Sequence, residues 1–144
     1  MIVIDKSLTE RVAAEDLWYR IDEVFGDGGG VYSLACLSSP PADTVLPIHR
    51  VLGEDKAGVL YIGMAMSFKD RAIELKKSLS PTHISKGHEC GARYKASQVM
   101  CEKFPYENLV MTLTSADDPR GAERRALDRY LNQFGELPPL NRAS

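Results

Sequence analysis

Val59-Leu-Tyr-Ile-Gly-Met-Ala65 is a short apolar run, and Ser67-Phe-Lys-Asp70 follows it with the signals of a helix start. The run has the length and content of a strand. Asp70 falls in the first turn of the helix, where the positive end of the helix dipole favours an acid. Phe68, Ala72, Leu75 and Leu79 then share one helical face, and Pro81 stops the segment near Leu79. Upstream, Val31-Tyr-Ser-Leu-Ala-Cys-Leu37 reads as another strand, followed by a proline-rich, irregular insertion over about 38–58 with a short strand near Pro47–Leu52. Downstream, the pattern predicts a loop over 80–91, a helix over 92–103 and a strand over Asn108–Thr114. Asp117-Asp118-Pro119 is a helix start, because acids suit the first turn and proline tolerates its first position. Ala122, Ala126, Leu127, Tyr130, Leu131 and Phe134 form the apolar face of that helix, and Gly135 ends it. The expected class is α/β: a small, mainly antiparallel three-stranded sheet from 31–37, 59–65 and 108–114, flanked by helices.

The first 28 residues read as a helical extension appended to a main domain over 29–144. Ser7-Leu-Thr-Glu10 matches a capping box. Leu8, Val12, Leu17, Trp18, Ile21 and Phe25 recur at near-helical spacing, which predicts one helix over about 8–25, packed through Trp18, Ile21 and Phe25. Three glycines, Gly28 to Gly30, form the hinge.

A chain of 144 residues with net charge −2, 44% hydrophobic and 26% charged, has the content of one globular domain and is not a disordered chain. No apolar run approaches a membrane span, and the N-terminus lacks a signal-peptide layout. Cys36, Cys90 and Cys101 make no CxxC pair, so the expectation is a reducing compartment and a cytoplasmic location. Residues 1–58 carry a balance of −5 and residues 59–144 a balance of +3. Within 69–103 the balance is +4, with Lys69, Lys76, Lys77, Arg93 and Lys95 among the bases. Such a surface suits phosphate contacts; from charge alone, a solvated helix face explains it as well.

Gly30-Val31-Tyr32, Tyr61-Ile62-Gly63, Arg71 eight residues beyond Gly63, Glu123 early in the last helix and Asn141 after Pro138-Pro139 stand in an order that resembles the GIY-YIG nuclease superfamily. The resemblance covers about residues 29–142. Val31 replaces the middle isoleucine of the first motif, the connection between the two motifs is longer than usual, and Leu75 stands where many members carry histidine. The resemblance implies a divalent-metal-dependent endonuclease that hydrolyses nucleic-acid phosphodiesters, with DNA the expected partner.

Its chemistry needs an activated water, charge compensation at the phosphoryl oxygens and help for the leaving oxygen. The resemblance implies Glu123 as ligand of Mg²⁺ or Mn²⁺, ions that take few protein groups and keep waters. Arg71 offers a permanent charge in a fork that suits phosphate. Tyr32 is the implied general base and Tyr61 positions water or phosphate. A phenol near pKa 10 serves as a base at neutral pH only where positive charge lowers it. His88, in Gly87-His-Glu-Cys-Gly91, is a further candidate to assist the base or contact phosphate, and Asn141 is expected to fix the backbone or a water. Each residue has a plainer reading: Glu123 as a helix acid paired with Arg120, Arg71 as a solvated helix arginine, the tyrosines as packing residues. A module of this fold that binds nucleic acid or a protein without cleaving is the competing expectation.

Overall fold

The computed structural model describes residues 6–38, 44–82 and 89–142. Its elements are β1 (Ser7–Arg11), α1 (Leu17–Phe25), β2 (Gly30–Cys36), β3 (Ile48–Arg50), β4 (Gly53–Asp55), β5 (Tyr61–Ala65), α2 (Phe68–Leu79), α3 (Glu89–Ala96), α4 (Gln98–Lys103), β6 (Leu109–Ser115) and α5 (Pro119–Phe134). A single 3₁₀ turn, Tyr106–Asn108, leads into β6. The main sheet is antiparallel throughout, in the order β1-β6-β2-β5, and β3 and β4 form a separate hairpin. Among the described residues no helix is long and apolar enough to cross a membrane.

The strand expected over 31–37 is β2, and its residues alternate in burial as a sheet with two covered faces requires. Tyr32, Leu34 and Cys36 point into the larger core with Met111 and Leu113 of β6, and α1, α2 and α3 cover that face through Ile21, Phe68, Leu75 and Cys90. The opposite face receives α5, whose Tyr130 and Phe134 pack with Ile62 and, at the margin, Val31 and Ala126. The start and stop of α5 follow the local signals. Asp118 accepts from Gly121 N–H, Pro119 occupies the first turn, and Gly135 closes the helix at φ 79°.

The N-terminal expectation is corrected. Residues 8–25 are not one helix, and the sheet is not three-stranded. Ser7–Arg11 is a strand paired along β6, from Ser7 opposite Thr114 to Arg11 opposite Val110, and only Leu17–Phe25 is helical. The residues of the supposed capping box are ladder residues: Thr9 and Thr112 join through their hydroxyls across the strands at 3.0 Å. An unpaired β6 would leave a row of backbone donors and acceptors open, and pairing them outweighs the local helix signal. The segment 1–28 thus contributes a strand and a helix to the main domain. α1 buries Leu17, Ile21 and Phe25, with Phe25 edge-on to Phe68 at 4.8 Å. Trp18 is only half-buried, under the Lys69 ammonium.

The helix expected over 92–103 is two helices broken at Ser97, whose hydroxyl accepts from Met100 N–H and starts α4. The insertion is more ordered than a loop. It bridges Leu37 to Val45, forms the β3–β4 hairpin and locks onto the end of α5. Leu52 N–H donates to the Phe134 carbonyl at 3.0 Å and Arg50 to the Leu137 carbonyl at 2.9 Å, with Arg50 also paired to Glu136.

Candidate active site

β5 is an edge strand, so half of its backbone groups face away from β2. Two of the expected site side chains take them. The Asn141 amide accepts from Ile62 N–H and donates to the Ile62 carbonyl, both at 2.9 Å. Two residues on, Met64 N–H donates to the Glu123 carboxylate. The edge that would otherwise be open fixes the tail at one point and the start of α5 at another.

Between those attachments lies an open pocket of about 410 Å³, lined by Tyr61, Met64, Arg71, Arg120, Glu123 and Arg124. Tyr61 comes from β5, Arg71 from α2 on one side of the sheet, and the remaining charged groups from α5 on the other. Tyr32 is the residue beneath. It pairs across the strands with Gly63 and is 1% exposed. Its ring lies 6.0 Å from that of Tyr61, and the two side chains are hydrogen-bonded. Gly63 permits this. A Cβ there would come within 2.7 Å of both the Tyr32 hydroxyl and the Tyr61 ring.

Burial sets the proton affinities of the site. It pushes the Tyr32 phenol far above its ordinary range, the neighbouring Tyr61 adds to this, and only Arg71 opposes. Tyr61 is raised to about 12, first by burial and then by Cys90 and Glu123, against Arg93 and Arg71. The Glu123 carboxyl is also raised by burial, countered by Arg120, Arg71 and the Met64 N–H. Cys90 abuts the tyrosine pair and is fully buried, and burial pushes its thiol up to about 12 against the Arg93 charge.

The other expected residues fall elsewhere. Leu75, where histidine was the family's alternative, is buried in the core. His88 lies outside the described residues. None of the five expected phosphate contacts lines the pocket. Lys69 is held by Asp22 and Asp27 at 2.9 and 3.0 Å. Lys76 donates to the Ala14 carbonyl, and Lys95 donates to the Lys77 carbonyl. Arg93 donates to the Leu140 carbonyl at 2.6 Å. Lys77 is exposed on α2. The sequence reading missed Arg124 as a pocket residue and considered Arg120 only as a partner for Glu123. Their spacing, one helical turn apart and bracketing Glu123, was the available signal.

Among the described residues no three His, Cys, Asp or Glu side chains cluster to hold a metal ion. One carboxylate beside a pocket open to water nevertheless fits a hydrated Mg²⁺ or Mn²⁺, which needs only one or two protein oxygens. No protein-family model matches the chain, and comparison with curated proteins and with solved structures returns no match.

Proposed function

We propose that the protein is a divalent-metal-dependent endonuclease of GIY-YIG type that hydrolyses nucleic-acid phosphodiesters, DNA first. The observation that carries this reading is the meeting of a phenol, a guanidinium and a partly desolvated carboxylate, from a strand and two helices, around one open pocket. Arg71 holds a phosphoryl oxygen. Water supplies the nucleophile: once the tyrosine pair has given one proton to solvent, the water oxygen bonds to phosphorus as the bond to the leaving oxygen breaks, the water proton passes to the phenolate, and the leaving oxygen takes a proton from solvent. The resemblance implies Tyr32 as the base. With Tyr32 sealed, the hydroxyl that meets the water is that of Tyr61, and Tyr32 shares the proton through their hydrogen bond. A cation held by Glu123 and waters would supply charge at the phosphoryl oxygens and, with Arg71, lower the proton affinity of the phenols. Asn141 keeps β5, and so Tyr61, in place.

The test is cleavage of DNA and RNA oligonucleotides in Mg²⁺ or Mn²⁺. Glu123→Gln is expected to lower the rate by about 10²–10³ while leaving oligonucleotide affinity near wild type, because phosphate contacts dominate binding. Both phenols hold their protons above neutral pH, so the rate is expected to climb from neutral into mildly alkaline conditions. Cleavage undiminished in EDTA, or full activity in Glu123→Gln, overturns the reading. The raised phenols also favour a second reading, a module that binds nucleic acid without cutting it; wild-type binding with no cleavage of either polymer would establish that one.

A further inference from the structure

Three arginines surround one carboxylate at the edge of β5. Arg71 is paired with Glu74 at 3.4 Å. Arg120 and Arg124 come from the first two turns of α5, both exposed, and among the described residues neither has a carboxylate within ion-pair distance. Arg120 acts on Glu123 as a nearby charge. With Glu74, which is paired to Arg71, the charged groups at the pocket sum to +1. A phosphodiester held by Arg71 leaves Arg120 and Arg124 facing only Glu123, and a cation on Glu123 would offset that carboxylate and leave both arginines for a second phosphate. Lys69, Lys76 and Lys95 are engaged in internal contacts, and Lys77, exposed on α2, does not line the pocket.

We propose that Arg120 and Arg124 hold the phosphate next to the one that is cleaved, so that the site favours a polynucleotide strand over an isolated phosphodiester, with its backbone running along α5. This rests on the nuclease reading of the pocket. Arg71, on the opposite wall, is left to the reacting phosphate. A guanidinium makes charge-assisted, often bidentate bonds to phosphate, and two of them one turn apart on a helix can share one phosphate.

The experiment compares the Arg120→Ala/Arg124→Ala variant with wild type on two substrates, a DNA oligonucleotide and bis(p-nitrophenyl) phosphate, which has one phosphodiester. Both positions are exposed and alanine is the best helix former, so the fold is expected to persist; circular dichroism checks it, and Arg120→Gln/Arg124→Gln repeats the test. The oligonucleotide KM is expected to rise about 10–100-fold with kcat little changed, and the loss in kcat/KM to exceed that on the small diester by at least about tenfold. The salt dependence of oligonucleotide binding is expected to flatten by about one unit of slope, for the one phosphate no longer held. Lys77→Ala, on exposed α2, is expected to affect the oligonucleotide KM less than the arginine pair does.

Equal losses on both substrates would place the two arginines at the reacting phosphate and overturn the proposal; no loss on the oligonucleotide overturns it too, while the nuclease reading stands. Wild-type protein that binds the oligonucleotide through Arg120 and Arg124 but hydrolyses neither substrate overturns the nuclease reading and upholds the tract. Wild-type protein that neither binds nor cleaves overturns both.

Discussion

Gly63 carries the geometry of the site without a side chain of its own. It lies opposite Tyr32 in the ladder, and two aromatic rings occupy the space a Cβ would need. Gly63→Ala is expected to cost about 1–3 kcal/mol, the usual penalty for overpacking, and to separate the tyrosine pair. Urea unfolding measures the first effect and oligonucleotide cleavage the second; unchanged cleavage would show that the pair is not used. Glu123 makes the complementary point about charge. Its carboxyl is raised in the fold, so the folded chain binds more protons than the unfolded one and stability falls as pH rises through and above the ordinary carboxyl range. Glu123→Gln is therefore expected to melt higher than wild type at pH 7, with the advantage fading toward pH 4. A lower melting temperature at pH 7 would show that the Arg71 and Arg120 charges outweigh burial.

At the scale of elements, the β3–β4 hairpin is a strut between the sheet and the tail that carries Asn141. Asp55, 2% exposed, accepts from the N–H groups of Ala57, Gly58 and Val59 and from the Tyr130 hydroxyl. Arg50 and Glu136 tie the same hairpin to the end of α5, where Glu136 also accepts from Val51 N–H at 2.9 Å. Asp55→Ala removes the shared side-chain acceptor of these donors, leaves the buried Tyr130 hydroxyl without it, and is expected to destabilise by about 3–5 kcal/mol. The check is chemical denaturation with hydrogen exchange. Exchange confined to the hairpin, with β5 and α5 still protected, would mean that the strut bears on nothing beyond itself.

For the whole molecule, the site exists because three layers meet at one edge. α2 and α5 approach β5 from opposite faces of the sheet, and both need the sheet beneath them. β1 guards the other edge by covering β6. Removing residues 1–12 takes away that strand and Val12, a fully buried core residue. The truncated chain is expected to lose solubility or to self-associate through the exposed β6. Size-exclusion chromatography against the full chain tests this; a monomer of unchanged melting temperature would show β1 to be dispensable.

Local chemistry in the sequence determined much of this architecture. Strand length and content are legible in Val31–Leu37, helical periodicity in Phe68–Leu79, and α5 is bracketed by Asp118-Pro119 and Gly135, because those signals act within a few residues. The residue types around the pocket were legible too, since Tyr61, Arg71 and Glu123 stand in strands and helices whose existence is local. Tertiary structure decided what depends on partners far along the chain. Ser7–Arg11 has a helix start by composition and became a strand because Val110–Thr114 offered a complete set of backbone partners. It also decided which cations are free. Charge counting favoured 69–103, but Asp22, Asp27 and the carbonyls of Ala14, Lys77 and Leu140 engage Lys69, Lys76, Lys95 and Arg93, and Lys77 is exposed outside the pocket lining. Arg120 and Arg124 line the pocket and, among the described residues, form no ion pair, because folding places them on the exposed face of α5.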